Sequence, residues 1–305
     1  ATRGPIVGPQ QLGFLERKPV MRPPLEPRAL PSTVLAPDGS VRYFAYGSNL
    51  GRQKVLSRGA ASIISTERAN VAGWRLAFTF ALNPPLEPSF ASIEPAPAET
   101  ACEGVLHTLT PSAYEELWRS EGGGGSRPDY EEIVVLAKPW SGSEPVRAIT
   151  LRAAQSRRLS HDVPPSQRYL SIVVAGAHEA GLSPAYIARL EAISAAAPSG
   201  FLAAVAEAHG LLLVLLYLLG LQRLLSPLRA ICFLLHRHVR PRLRDIATGL
   251  LLLPTAAIGA ATRPALRLLG RERWLSYARY GQLPPTPATT LASARCVSEY
   301  HYQSR

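Results

Sequence analysis

Two polar segments of the sequence have residue types that could bind and transform a small molecule. The first is "YFAYGSNL" at 43–50, in which β-forming residues are followed at once by Gly47, Ser48 and Asn49. A strand that stops so abruptly exposes consecutive backbone N–H groups, and such a nest can hold a carboxylate or a carbonyl oxygen. An ordinary strand-ending turn has the same composition, so these residues alone leave both interpretations open.

The second segment is "LWRSEGGGGSRPDY" at 117–130, where Glu121 ends a predicted helix and four glycines follow. Glycines at this point let the backbone approach another segment closely or adopt positive φ. The run is not a phosphate-binding loop, because no Gly-Lys-Ser/Thr follows and no helix opens after it. Taken by itself, a glutamate before a glycine run is most often a solvated helix end.

The other titratable side chains give weaker signals. His107 lies within a strand pattern and is predicted to be packed or half-exposed. His236 and His238 lie in a basic segment without further ligands nearby, so no metal site is predicted. The three cysteines have no paired spacing, which favours reduced structural thiols over a disulfide framework or a zinc site.

Alternation and helix start signals predict the elements that would position these residues. "WRLAFTF" at 74–80 has the period of a half-buried strand. Further strands are predicted at 89–94, 103–109, 131–137 and 147–153. Thr110 followed by Pro111, and Ser183 followed by Pro184, each predict the start of a helix. Several strands with few short helices indicate an α/β (α+β) unit, a small mixed barrel with flanking helices rather than a doubly wound sheet.

Composition divides the chain into four regions. Residues 1–40 form a Pro-rich arm, 41–198 the compact α/β unit, 199–280 a hydrophobic and basic helical region, and 281–305 an irregular tail. The chain begins at Ala1 rather than Met, which would fit removal of a transit peptide and equally a sequence that simply starts there.

Residues 199–280 are unusually apolar and arginine-rich. The segments 201–222 and 246–262 are almost free of charge, and arginines lie between and after them. The longest uninterrupted apolar run is shorter than the ~20 residues of a simple membrane span. A Leu-rich helical bundle and association with an anionic membrane both fit this pattern.

The net charge of +11 favours anionic partners. Charge alone does not choose among nucleic acid, anionic lipid and acidic protein surfaces. No RNA-binding motif accompanies the arginines, so nucleic acid is not the expected partner.

Three segments, taken in order, resemble the gamma-glutamylcyclotransferase-like (AIG2-like) proteins. They are "YGSNL" (46–50), "LWRSEGGGG" (117–125) and "PSQRYLSIVVAGAHEAGLSPAYIARL" (165–190). The resemblance covers about residues 41–195, and the Arg/Leu-rich C-terminal extension is foreign to the family. It implies a small six-stranded barrel-like fold with a cavity between the 46–50 loop and Glu121.

The resemblance also implies a reaction. Members of this family cyclise gamma-glutamyl amides to 5-oxoproline and release an amine or amino acid, and Glu121 would be the general acid and base. The substrate-binding residues that it implies are Tyr46, Gly47, Ser48, Asn49, Leu50 and Tyr130. The chemistry needs no metal and no organic cofactor.

Two features depart from the family pattern. Trp118 stands where the family has an Asp three residues before the catalytic Glu, and the segment from Glu121 to Tyr130 is longer and richer in glycine. Arg58, in contrast, lies where the family tends to place an arginine.

Two hypotheses of different classes follow. The first is an enzyme that acts through Glu121. The second is a catalytically silent accessory subunit of a large organellar membrane complex, bound through the N-terminal arm and the C-terminal extension. Heavy use of Ala, Pro and Arg suits a nucleus-encoded organellar protein, in a chloroplast rather than a mitochondrion. A third hypothesis, an RNA-contacting subunit of an organellar ribosome, is supported by charge alone.

Overall fold

The computed structural model describes residues 34–56, 63–83, 85–124, 128–196, 198, 200–219 and 221–268. Most of the Pro-rich arm, Arg58 and the irregular tail lie outside these residues.

The described residues form seven strands. They are β1 (Val41–Ala45), β2 (Ile63–Ala72), β3 (Trp74–Asn83), β4 (Glu87–Pro95), β5 (Ala101–Leu109), β6 (Tyr130–Pro139) and β7 (Val146–Ala153). Five of them close a barrel in the order β1-β5-β2-β6-β7, and β1 completes it by pairing in parallel with β7. The predicted α/β class and small barrel are confirmed.

The barrel has five strands rather than the six predicted, because β3 and β4 pair only with each other. The second edge of β3 is occupied by an irregular segment: Leu159 N donates to Thr79 O (2.8 Å) and Val163 N to Phe78 O (3.0 Å). Pro88, within β4, lacks an N–H group for a second ladder. The hairpin therefore packs on the barrel through its side chains, with Phe78 and Phe80 buried.

Strand β2 was not predicted from the sequence. Its residues 64–68 are exposed, so it lacks the alternation of a half-buried strand. Pairing with β5 along nearly its whole length holds it in the barrel.

Seven helices complete the described residues. They are α1 (Arg52–Leu56), α2 (Pro111–Ser120), α3 (Gln167–Glu179), α4 (Pro184–Glu191), α5 (Gly200–Leu218), α6 (Ser226–His238) and α7 (Pro241–Leu268), with a 3-10 turn at Gln222–Leu225. Both predicted caps are confirmed: Thr110 Oγ1 accepts from Ala113 N (3.2 Å), and Ser183 Oγ accepts from Tyr186 N (3.1 Å). Each cap satisfies one backbone donor at the helix start, typically worth about 1 kcal/mol.

The C-terminal helices form a layer beside the barrel. Helices α5 and α7 lie against each other, and Phe233 of α6 packs on Ala81, Leu159 and Val163 of the α/β unit. Among the described helices, one stretch, Leu243–Leu268, has the length and apolar composition that could cross a membrane, although core helices of globular proteins share these properties.

Candidate functional site

The 46–50 loop is a tight turn at the end of β1. Leu50 N donates to Gly47 O (3.1 Å), which closes the turn. A Cβ on Gly47 would lie 3.0 Å from the Ala91 side chain, so glycine allows β4 to approach the loop. Leu50 is placed away from the cavity described below: its side chain is buried against Gly176 of α3 and anchors the loop.

The loop meets Glu121, which caps the C-terminal end of α2. Asn49 Nδ2 donates to Glu121 Oε1 at 2.8 Å, and to Tyr43 Oη at 3.1 Å. A hydrogen bond to a carboxylate is stronger than one between neutral groups. The two polar segments singled out in the sequence, 72 positions apart, therefore form one site.

The other end of the Asn49 amide has no such partner. Asn49 is only 6% exposed, and its Oδ1 accepts no hydrogen bond from any residue that the structure describes. A buried acceptor left unsatisfied costs about 1–3 kcal/mol. An unsatisfied acceptor beside a carboxylate is suited to receive a donor from a bound molecule.

His107 holds the loop from behind. It is fully buried, and its Nε2 lies 3.1 Å from Asn49 O and its Nδ1 3.0 Å from Thr66 Oγ1. Because a carbonyl only accepts, Nε2 carries the proton and Nδ1 accepts from the Thr66 hydroxyl. Burial lowers the pKa of His107 to about 4, so the imidazole is neutral at pH 7. Of the two environments predicted for His107, packed or half-exposed, the structure shows the packed one.

Four tyrosines line the space between the loop and Glu121: Tyr43, Tyr46, Tyr130 and Tyr169. Tyr46 Oη donates to Leu151 O, and Tyr130 Oη donates to Ala91 O at 3.3 Å. Tyr169 Oη accepts from Ala91 N at 3.1 Å. Burial raises the pKa of Tyr46 well above its usual value, so this hydroxyl stays protonated.

Two adjoining cavities open at this point. The inner one, about 30 Å³, is lined by Tyr46, Gly47, Ser48, Asn49 and Glu121 among others. This is the volume of about one water molecule, enough for a single polar group of a ligand. The outer cavity, about 420 Å³, shares Ser48, Glu121, Tyr130 and Tyr169 with it. The residues that line both cavities lie within 43–172, so neither cavity is lined by helices α5 to α7.

A larger cavity of about 580 Å³ lies on the other side of Leu50. Its charged groups are already engaged: Arg68 stacks on Trp140 (4.6 Å) and donates to Gly181 O (2.8 Å). Glu179 Oε1 accepts from Arg52 N at 3.1 Å. Size alone does not make it the functional site, and Glu121 is not part of its lining.

The glycine run and Trp118 belong to one arrangement. Gly122 has φ +85°, and Gly123 N donates to Trp118 O at 2.9 Å, so the chain turns back over the indole. A Cβ on Gly123 would lie 2.0 Å from Trp118 Cε2. The indole is 6% exposed and packs beneath the turn that begins at Glu121. The two departures from the family pattern are therefore structurally coupled.

Some site residues were missed in the sequence. Tyr169 lies within the quoted segment 165–190 and has the helix cap Ser166 just before it, which places its ring against Phe90 (4.3 Å). Tyr43 and His107 are directly opposite each other in the β1–β5 ladder. Strand pairing decides their contact, and no local pattern reveals it.

No group of three or more His, Cys, Asp or Glu in the described ranges could hold a metal ion. What the geometry offers is a half-buried carboxylate, an unsatisfied amide oxygen and backbone N–H groups around one small cavity at the barrel mouth. These groups form one polar cavity on a small α/β barrel.

Comparison with known proteins finds the same family resemblance as the sequence motifs. The AIG2-like family matches residues 101–190. The chain is 30% identical over 171 residues to gamma-glutamyl cyclotransferase aclK of Aspergillus oryzae, covering 50% of this chain and 61% of aclK. It is 31% identical over 185 residues to gamma-glutamyl cyclotransferase gliK of Aspergillus fumigatus, covering 53% and 65%. These matches support the resemblance of the barrel domain to the gamma-glutamylcyclotransferase-like family that the sequence predicts.

The chain thus spans less than two thirds of either fungal relative. Similar solved structures include a human protein described as uncharacterised protein loc79017 (26% identity, 53% of this chain and 92% of that one, TM-score 0.44). Another is titled gamma-glutamyl cyclotransferase (24% identity, 53% and 92%, TM-score 0.43).

Neutral His107 makes folding sensitive to acid. Its folded-state pKa of about 4 lies below the ordinary 6.5, so the unfolded chain takes up this proton first as the pH falls. We expect the free energy of unfolding to drop by about 3 kcal/mol between pH 7 and pH 4 from this group, and to level off about one pH unit lower, below both pKa values. Urea unfolding of the wild type and His107→Gln at several pH values measures the difference. Parallel pH profiles would contradict it.

Steric coupling between Gly123 and Trp118 can be measured directly. We expect Gly123→Ala to destabilise the protein by about 1–3 kcal/mol, because the new methyl group would overlap the indole. The cost should fall by at least half in a Trp118→Leu background, where the ring is absent. A double-mutant cycle of urea unfolding free energies gives both values. Equal costs in the two backgrounds would show that the indole is not the obstacle.

Proposed function

We propose that the barrel domain cyclises a gamma-glutamyl amide to 5-oxoproline and releases an amine or amino acid, with Glu121 as general acid and base. The observation that carries this proposal is the Asn49–Glu121 contact at the inner cavity, which leaves Asn49 Oδ1 as an unsatisfied acceptor. The names of the two fungal relatives support the same substrate class.

The α-ammonium group of the substrate would lie in the inner cavity beside Glu121 and Asn49. It is a cationic donor of several hydrogen bonds, and the carboxylate and Asn49 Oδ1 are acceptors for it. Binding would relieve the desolvation cost of the buried amide oxygen. The inner cavity accommodates one such group, while the rest of the substrate extends toward the outer cavity.

The reaction requires a proton to leave this nitrogen before it can attack. Glu121 takes a proton from the ammonium group, and the free amine attacks the γ-carbonyl carbon of its own molecule. A new C–N bond closes the five-membered ring as the old amide C–N bond breaks. Glu121 returns its proton to the departing nitrogen, and the ring nitrogen loses its second proton to the released amine. The products are 5-oxoproline and the ammonium form of the amine, and no water is consumed.

Charge builds up on the γ-carbonyl oxygen during the attack. Backbone N–H groups at Gly47 to Asn49 lie at the inner cavity and would stabilise this oxygen, which is the role that the sequence predicts for the loop. His107 and Leu50 are positioning residues in this scheme, because they hold the loop without reaching the cavity.

The outer cavity would hold the departing half of the substrate. Its wall combines the rings of Phe80 and Phe90 with the basic side chains of Lys54, Arg119 and Arg168. Arg119 is paired with Glu115 (3.1 Å), and Arg168 donates to Glu87. These ion pairs hold the basic groups in place at the rim of the cavity.

The role of Glu121 is tested with Glu121→Gln in the full chain. We expect the release of 5-oxoproline from a panel of gamma-glutamyl amines and dipeptides to fall by at least 10²-fold, since an amide cannot carry the proton. Glu116→Gln, on the exposed side of the same helix, is the matched control and should keep full activity. If folded wild-type protein turns over no compound in the panel, the enzyme hypothesis is refuted and the hypothesis of a silent accessory subunit is favoured. That hypothesis, with its organellar location, stays a prediction.

Asn49→Asp tests the neighbouring group. It would place a second carboxylate about 2.8 Å from Glu121 Oε1, and of two such carboxylates one loses its proton only at a raised pH. We expect the acidic limb of the kcat/KM profile to move to higher pH by more than one unit. Asn49→Ala should lower kcat/KM without moving that limb. An unshifted limb in Asn49→Asp would place the proton acceptor elsewhere.

A further inference from the structure

Helix α7 exposes a stripe of apolar side chains. Large apolar side chains recur on its outer side at intervals of three to five residues from Leu243 to Ile258, and one more lies at the end of the helix. They are Leu243, Ile246, Leu250, Leu253, Ile258 and Leu268. Leu250 is 60% exposed and Leu268 is 90% exposed. We call this set the α7 stripe.

The inner side of the same helix combines polar contacts with apolar packing. Arg263 Nη2 donates to Glu207 Oε1 of α5 at 2.8 Å, and Thr255 Oγ1 lies 2.9 Å from His209 Nδ1 of α5. Leu252 and Ala256 are buried in an apolar cluster beside them. The helix thus has a packed inner side as well as exposed leucines, and exposed apolar patches of this kind mark interaction or membrane surfaces.

Small residues bring α5 and α7 into close contact. A Cβ on Gly259 would lie 1.8 Å from Ala208 O, and one on Gly249 would lie 2.8 Å from the Phe201 ring. Helices in lipid associate through such small residues, because apolar burial gives them no driving force there. The interface therefore agrees with the outward-facing stripe.

Charge is confined to the two ends of the stripe. Residues 246–262 carry no charged side chain and span about 25 Å of helix, somewhat less than the ~30 Å of a bilayer's apolar core. Arg240 and Arg244 precede this stretch, and Arg263 and Arg267 follow it. Anionic headgroups attract arginines near a membrane surface by about 1 kcal/mol each.

A second copy of the chain suits this face less well. Basic residues lie at both ends of α7, and Asp245 is the one acidic side chain of the helix. A parallel or an antiparallel pairing would therefore bring arginines against arginines, which is repulsive. A bilayer with anionic headgroups meets both the apolar and the charged parts of the surface.

We propose that the α7 stripe is a membrane-binding face that inserts into a bilayer containing anionic phospholipid. Phe233 of α6, packed on the α/β unit, would then hold the barrel beside the membrane. This proposal is independent of the reaction at Glu121. It gives the basic helical extension a role that the catalytic site does not explain.

Vesicle flotation of the full chain tests the proposal. We expect the wild type to float with vesicles of phosphatidylcholine and phosphatidylglycerol, and at least tenfold less with phosphatidylcholine alone. Leu250→Glu/Leu253→Glu should reduce the floated fraction at least tenfold. Ile64→Glu/Leu136→Glu is the matched control, because it makes the same change at exposed apolar residues of the barrel, and it should float like the wild type.

Circular dichroism melting of all variants checks that they are folded. Equal flotation of the stripe variant and the wild type would overturn the proposal, as would recovery of the wild type in the lipid-free fraction with both vesicle types. Light scattering measures the oligomeric state of the wild type and of the stripe variant. A wild-type dimer that becomes a monomer in the stripe variant, without flotation, would overturn the proposal and assign the stripe to a second copy.

Discussion

The hydrogen bond from Asn49 Nδ2 to Glu121 Oε1 ties the end of β1 to the end of α2, and the rest of the site depends on it. It orients the Asn49 amide so that Oδ1 faces away from the carboxylate, which leaves an acceptor without a protein partner among the described residues. A fold tolerates such a cost of about 1–3 kcal/mol most readily where a ligand removes it. The position of this one amide therefore links the stability of the loop to its capacity for binding.

Closure of the barrel fixes the position of the loop that makes this contact. β1 lies between β5 and β7, so its terminal residue cannot shift without disturbing two ladders. β5 contributes His107, whose neutral ring holds the Asn49 carbonyl, and β7 contributes the Leu151 carbonyl that accepts from Tyr46. Both sides of the loop are thus held by strands far from it in sequence. The backbone of Glu121, on a helix end followed by glycines, is positioned by local structure.

Local signals in the sequence were enough to predict most of the helices and strands that carry the site. Two capped helices, five of the seven strands from their alternation and the first from the "YGSNL" segment were predicted, because caps and alternation involve neighbours in the chain. Strand β2 was missed because its exposed residues lack that alternation, and the strand number was wrong because a non-strand segment occupies the edge of β3. The loop and Glu121 were paired by resemblance. His107 and Tyr43 were not, since their contact arises from strand register.

The α/β unit and helix α7 differ in how they treat large apolar side chains. In the α/β unit, apolar side chains fill the interior, and a buried polar group such as His107 has partners on both ring nitrogens. Helix α7 buries Leu252 and Ala256 against its neighbours but leaves Leu250 and Leu268 exposed. Leucines on an outer helix face are unfavourable in water and favourable in lipid. The membrane-binding face that we propose would account for these leucines, and a reaction at Glu121 would not.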